Sequence, residues 1–148
     1  MKPIGTYLLP YIRIGGNAVF PPPFTSLLQA DGSYIRRKGR VAMILTSGDR
    51  NTTYRDTFEI KNALSSTEME WASIAKGIEF ALQKGHQALS IENDNFGVVS
   101  ALLVDSKPKQ EYAKYYKHTI LQLTKQTLWT GIRWVPRDHN EAETLFLT

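Results

Sequence analysis

Three carboxylates stand where segments of different character meet. They are Asp31 in Ala30-Asp31-Gly32-Ser33, Glu70 in Met69-Glu70-Trp71, and Asp94 in Ile91-Glu92-Asn93-Asp94. Strand ends and helix starts are where side chains converge on a site in an open sheet. Carboxylates brought together repel unless cations neutralise them, so such a cluster asks for metal. Each residue also has a plain structural use. Asp-Gly is a strong turn signal. Glu70 completes a helix-start box with Thr67, although Ser65 and Glu68 make an equally good one. Asp94 suits the N-cap of a helix beginning near Phe96. Glu70 lies four residues before Ile74, near the apolar stripe of its segment, whereas Glu68 points away from it. A carboxylate leaning toward a core needs a partner, and a metal ion is one such partner.

The elements that must position these residues follow from periodicity. Residues 24–31 are an apolar run ending in Asp31-Gly32-Ser33, a strand running into a turn. Residues 41–46 and 54–60 are two further strands, joined by the polar cluster 47–53. Short connections make these three an antiparallel meander. Residues 65–84 switch period, with Trp71, Ile74, Ile78, Ala81 and Leu82 on one helical face, and Gly85 suits its C-terminal cap. Residues 89–94 and 128–135 are a fourth and fifth strand. Helices over 96–104 and 111–126 lie between them, separated by a short connection containing Pro108, and a short helix follows over 140–147. The expected fold is α/β, a five-stranded mixed sheet in which a three-stranded antiparallel meander continues into parallel strands, flanked by helices.

Residues 1–23 differ from the rest. They hold five of the seven prolines and Gly15-Gly16, and read as an irregular, loosely docked extension to a domain over 24–148. The 148 residues contain no cysteine, which excludes disulfide scaffolds, thiolate metal sites and cysteine nucleophiles. At 42% hydrophobic and 22% charged, the composition is globular. No apolar stretch approaches the roughly 18–20 residues that span a bilayer. The N-terminal stretch, interrupted by Pro3, Pro10 and Arg13, does not read as a signal peptide, so no membrane association and a cytoplasmic location are expected. A net charge of +4 favours a polyanionic partner.

Taken in order, four blocks resemble the ribonuclease H family, in its type 1 single-domain branch of bacterial, plant and phage-like members. They are Ala30-Asp31-Gly32-Ser33; Met69-Glu70-Trp71 with Gly77-Ile78-Glu79-Phe80-Ala81; Ile91-Glu92-Asn93-Asp94; and Trp134-Val135-Pro136-Arg137 with Asn140. The resemblance covers residues 24–148. It implies a monomeric endonuclease that cuts the RNA strand of RNA–DNA hybrids with two magnesium ions, manganese serving as a substitute. Asp31, Glu70 and Asp94 would be catalytic metal ligands, with Asp31 bridging both ions. Magnesium's preference for hard oxygen donors suits this set.

The resemblance departs at the fourth acid. The family places an Asp four residues after the Asn, whereas here the stretch reads Asn140-Glu141-Ala142-Glu143-Thr144-Leu145. Glu143 becomes the fourth ligand if one residue is deleted; Thr144 takes the position without a gap, and Asn140 is a third option through its amide oxygen. Glu143 is favoured for its charge. The family's loop histidine, which assists proton transfer or product release, corresponds to His139. Gly32, Ser33 and Asn140 are expected to contact substrate. Arg36, Arg37, Lys38 and Arg40 form a basic run in the first hairpin. Residues 105–109 are too short for the basic protrusion some members carry, so weak hybrid affinity, or another basic surface doing that job, is expected. Two other readings stay open. One is a nucleic-acid-binding domain whose catalysis has weakened, and the other is a different nuclease on the same fold.

Overall fold

A computed structural model describes residues 9–15 and 20–147. Among the described residues six strands form one sheet: β1 (Ile12–Arg13), β2 (Ser26–Ile35), β3 (Lys38–Thr46), β4 (Thr53–Ile60), β5 (Ala88–Asn93) and β6 (Trp129–Trp134). Their spatial order is β1-β6-β5-β2-β3-β4. The β2-β3-β4 meander is antiparallel, and β5 lies parallel to both β2 and β6. Three helices follow the strands: α1 (Ser66–Gln83), α2 (Phe96–Leu103) and α3 (Glu111–Thr124). After β6 come two 3-10 turns, Arg137–His139 and Glu141–Leu147. The expected mixed sheet with flanking helices is therefore present, with one strand more than the five expected.

That extra strand is β1. Ile12 pairs with Ile132 and Arg13 with Gly131, antiparallel to β6. The next residue, Ile14, is buried and its N–H donates to the Thr130 carbonyl at 2.7 Å. The expectation of a loosely docked segment is corrected here for residues 9–15: they cover the open backbone edge of β6 and bury an apolar side chain. Expectations for residues 1–8 lie outside the described residues.

Alternation along β3 divides the sheet into two faces. Val41, Met43 and Leu45 join Leu28, Ile74, Ile78, Val98, Leu102 and Ile120 in the main core under the helices. Ala42 and Ile44 point the other way and meet Ala142, with Leu145 and Phe146 beside them. The 3-10 turn after β6 is thus pinned to the second face.

Helix α1 begins where its cap dictates. Ser65 Oγ accepts from Glu68 N–H at 3.1 Å, and Glu68 Oε1 accepts from Leu64 N–H at 2.7 Å. Of the two boxes legible in the sequence this is the one used, so Glu70 is free of capping. The helix ends with Gly85 at φ +84°, where His86 N–H reaches the Ala81 carbonyl and Gly85 N–H the Leu82 carbonyl. This paired closure needs a left-handed residue, which glycine supplies.

Candidate active site

Asp31 sits inside β2, not at its end as expected, and the strand runs four residues past it to Ile35. The Asp-Gly turn signal is overridden by packing. A Cβ on Gly32 would lie 2.3 Å from the Met69 carbonyl carbon and 2.6 Å from the Glu70 nitrogen, so only glycine lets the first turns of α1 close onto β2. That approach brings Glu70 to Asp31, and Gly32 N–H donates to Glu70 Oε1 at 2.5 Å. The Gly32 N–H is therefore engaged by Glu70. Ser33, half-buried and two residues beyond Asp31, shares the face of Asp31.

Asp94 follows the last residue of β5. The N-cap of α2 is Asn95, whose Oδ1 accepts from Val98 N–H at 3.0 Å, so the Asp94 carboxylate has no capping duty. Its carbonyl accepts from Trp134 Nε1 at 3.0 Å, and the exposed ring of Phe96 meets Trp134 edge-to-face at 6.0 Å. No local sequence pattern marks this brace.

The 3-10 turn brings in the fourth acid. Asp31, Asp94 and Glu143 each offer a carboxylate oxygen within 4.8 Å of the others. With three residues per turn, the third residue after Asn140 completes one turn, close to the direction a fourth residue takes on an α-helix. The missing residue is compensated by tighter winding. Arg137 holds Glu143 through Nε at 2.9 Å and its terminal nitrogen at 2.8 Å.

The other two candidates for that position are otherwise engaged. Asn140 is buried; its Nδ2 donates to the Ala30 carbonyl at 2.9 Å and its Oδ1 accepts from Ala142 N–H at 3.2 Å. Asn93 Nδ2 reaches the same Ala30 carbonyl at 3.0 Å. Two amides thus fix the backbone immediately before Asp31. Thr144 Oγ1 donates to the Glu141 carbonyl at 2.7 Å.

His139 is buried at 2% exposure, its carbonyl accepts from Gln29 Nε2 at 3.0 Å, and its Nδ1 has no partner among the described residues. His86 is half-buried, and its Nδ1 shares a hydrogen bond with Ser26 Oγ at 2.7 Å.

Asp31, Gly32, Ser66, Glu70, Asp94, Asn95 and Arg137 line an open cleft of about 270 Å³. Burial pushes the Asp31 carboxyl up from the ordinary range, and the nearby Asp94 charge adds to this. Burial and then the Asp31 charge push Glu70 up further. Both side chains are nearly covered, and each carboxyl gives up its proton at higher pH than a free carboxylate.

Residues 29–145 match the reverse transcriptase-like family. The chain belongs to that family. No curated protein matches the family member described here in sequence. Its fold is that of ribonuclease H. It superposes on the N-terminal ribonuclease H domain of a Mycobacterium tuberculosis protein with a TM-score of 0.74 at 20% identity, covering 82% of this chain and 90% of that one. The ribonuclease H1 of the halophilic archaeon Halobacterium salinarum gives 0.74 at 19% identity, with 80% and 90% covered. A ribonuclease H1 isolated from compost, solved in complex with an RNA/DNA hybrid, gives 0.72 at 14% identity, with 82% and 93% covered. The resemblance to ribonuclease H read from the four sequence blocks is borne out.

Proposed function

We propose that this reverse transcriptase-like protein is a metal-dependent endonuclease that hydrolyses the RNA strand of RNA–DNA hybrids. The observation that carries the reading is the meeting of Asp31, Asp94 and Glu143 within 4.8 Å, with Glu70 against Asp31. The donors are all carboxylate oxygens, which suits magnesium and admits manganese. Among the described residues the cation that reaches this set is Arg137, and it engages Glu143 at the rim. Asp31, Glu70 and Asp94 would hold the inner ligand positions of two ions and Glu143 an outer one. When bound, such ions activate the attacking water and stabilise charge on the leaving oxygen.

The chain's own residues set the conditions for that chemistry. Asn93 and Asn140 fix Asp31 through the Ala30 carbonyl, Gly32 fixes Glu70, and Trp134 fixes Asp94. Burial holds the Asp31 and Glu70 carboxyls protonated to higher pH than free carboxylates, and the ionised form is the one that binds metal, so metal affinity rises with pH. Glu143, brought to the set in place of the usual Asp, favours an active enzyme over a weakened binding domain. No helix among the described residues is long and apolar enough to cross a membrane. On this reading the protein works as a monomer in the cytoplasm, with residues 24–148 as its catalytic unit.

Labelled RNA–DNA hybrid, RNA duplex and DNA duplex, each incubated with the protein with and without magnesium, test the reading. Cleavage of the RNA strand in the hybrid alone, and only with metal, is the expected result. Cleavage of a DNA duplex would instead identify another nuclease on this fold.

A further inference from the structure

The surface between α2 and α3 carries little free positive charge. Lys107 and Lys109 are exposed there, but Lys117 is turned inward, its Nζ donating to the carbonyls of Ala101 at 2.8 Å, Val104, and Ser106 at 3.0 Å. Positive charge collects instead at the tip of the β2–β3 hairpin. Ile35 and Lys38 are the last ladder pair, so Arg36 and Arg37 alone make the turn. Lys61 follows Ile60, which pairs with Gly39, and so stands at the same end of the sheet.

Arg36 has φ +54° and Arg37 φ +66°. A two-residue hairpin turn with both residues in the left-handed region is a type I′ turn, whose favoured sequence is Asn-Gly. Two β-carbons in that region are disfavoured, so backbone preference does not account for Arg-Arg. Contacts within the fold do not account for it either. Arg36, Arg37, Lys38 and Lys61 are exposed, and their side chains make no hydrogen bond or ion pair among the described residues. Glu59, the ladder carboxylate at this end, faces Arg40, whose guanidinium is held over the Phe146 ring at 5.0 Å and by the Phe146 carbonyl at 3.4 Å. Four cations are thus presented outward with no internal partner.

We propose that the Arg36-Arg37 turn, with Lys38 and Lys61, is a phosphate-gripping surface for the backbone of the hybrid whose RNA strand is cut at the carboxylate cluster. This rests on the function proposed above. The turn lies five to six residues beyond Asp31 on one continuous strand, roughly 17–20 Å away. Over such a span a duplex presents about ten phosphates. The planar guanidinium fork suits bidentate contact with phosphate oxygens. The β2–β3 ladder, paired to its last residue, makes the tip a stiff extension of the strand that carries Asp31. The carboxylates at one end of this span repel a polyanion until metal is bound, and the turn supplies attraction at the other.

The experiment replaces the turn by its favoured sequence, Arg36→Asn with Arg37→Gly. Binding of a labelled hybrid is followed by fluorescence anisotropy across a series of salt concentrations with magnesium present, in an Asp31→Asn background to prevent cleavage. KM and kcat are measured with Asp31 intact. The turn variant is expected to be at least as heat-stable as the parent. Its hybrid affinity should drop about tenfold at physiological salt, and the slope of log affinity against log salt should become shallower by roughly 1–2. KM should rise by a similar factor with kcat unchanged. Arg36→Lys with Arg37→Lys should keep most of the slope. A turn that were merely structural would move stability and affinity in the same direction. An unchanged slope and KM in the Asn-Gly variant would overturn the proposal. If the parent binds hybrid but never cleaves it, the nuclease reading fails while the slope comparison still decides the role of the turn. If the parent binds no hybrid, both fail.

Discussion

Two groups of buried carboxylates lie a few residues apart on this sheet, and they are treated in opposite ways. Glu92, on β5, is almost fully covered. Its oxygens accept from Arg133 Nε at 3.0 Å, from the Arg133 terminal nitrogen, from the Tyr11 hydroxyl at 3.1 Å and from Gln29 Nε2 at 3.2 Å. Arg133 also stacks on the Tyr11 ring at 4.2 Å and donates to the Leu9 carbonyl at 3.3 Å, which ties the N-terminal segment to β6. Asp31 and Glu70 are nearly as buried, yet they lie beside Asp94 and Glu143, and among the described residues neither pairs with a cation. A carboxylate buried for structure brings its cation and donors with it. One that leaves its charge open destabilises the fold until an outside cation arrives, which is the mark of a site held ready for metal.

The sharpest way to test this contrast is to neutralise one carboxylate in each group. Asp31→Asn keeps the shape and removes the central ligand. It is expected to lower hybrid cleavage by at least about 10³-fold, several kcal/mol of transition-state stabilisation. In metal-free buffer it should raise Tm, because it relieves repulsion. Wild-type cleavage by this variant would break the assignment of the cluster.

Glu92→Gln should do the reverse. It strands Arg133 against a neutral amide in a mostly buried place and is expected to cost about 2–4 kcal/mol of stability, measured by urea unfolding. The kcat of the folded protein should change little. Adding Arg133→Met should recover much of the lost stability, since a matched apolar replacement removes both charges together. A Glu92→Gln variant that is stable but inactive would mean that Glu92 belongs to the chemistry, and the contrast would fall.

How visible each group is in sequence follows from the range of its contacts. The meander and α1 were legible because alternation and helical period are local, and Ser65 with Glu68 marked where the helix starts. Three of the four acids were legible as residues at junctions, although Asp31 was misplaced at a strand end. Asp-Gly is a local turn signal, whereas the closeness of α1 that makes Gly32 necessary is a tertiary fact. The Glu92–Arg133–Tyr11 group spans 81 residues between Tyr11 and Glu92 and leaves no local pattern. Strand β1, two residues long and pairing with a distant strand, was hidden in a proline-rich stretch for the same reason. The burial of His139 and Asn140 depends on Gln29 and Ala30, again far along the chain.

The open cluster also makes a pH prediction. Burial raises the pKa of Asp31 and Glu70, so the folded protein holds protons that the unfolded chain releases near pH 4. Where the folded state binds more protons, stability falls as pH rises. Without metal, stability should therefore fall from mildly acidic to mildly alkaline buffer, by up to about 1.4 kcal/mol per pH unit for each proton held, and Tm with it. Magnesium favours the ionised form and should flatten or reverse the trend, and Asp31→Asn should flatten it without metal. A metal-free protein whose stability climbs steadily with pH over this range would show that the carboxylates are already compensated.

The smallest effect falls at the edge of the cluster, where Glu143 is one-third exposed and shares its charge with Arg137. Glu143→Gln should slow cleavage by about tenfold and raise the magnesium needed for half-maximal rate, as expected for a ligand that weakens one ion without removing it. Asn140→Ala acts by a different route. It releases one of two amides on the Ala30 carbonyl and leaves the Ala142 N–H without its acceptor, so it should cost about 1–2 kcal/mol of stability and lower kcat, with the magnesium requirement unchanged. Thr144→Ala removes only a local hydrogen bond within the turn and should leave both quantities alone. The discriminating quantity is the magnesium midpoint rather than the rate, because a misplaced Asp31 and a missing fourth ligand both slow the reaction. A shifted midpoint in Asn140→Ala with none in Glu143→Gln would require the Asn140 amide to leave Ala142 and take the metal. The tighter winding of the last turn would then be a way of hiding Glu143, not of delivering it.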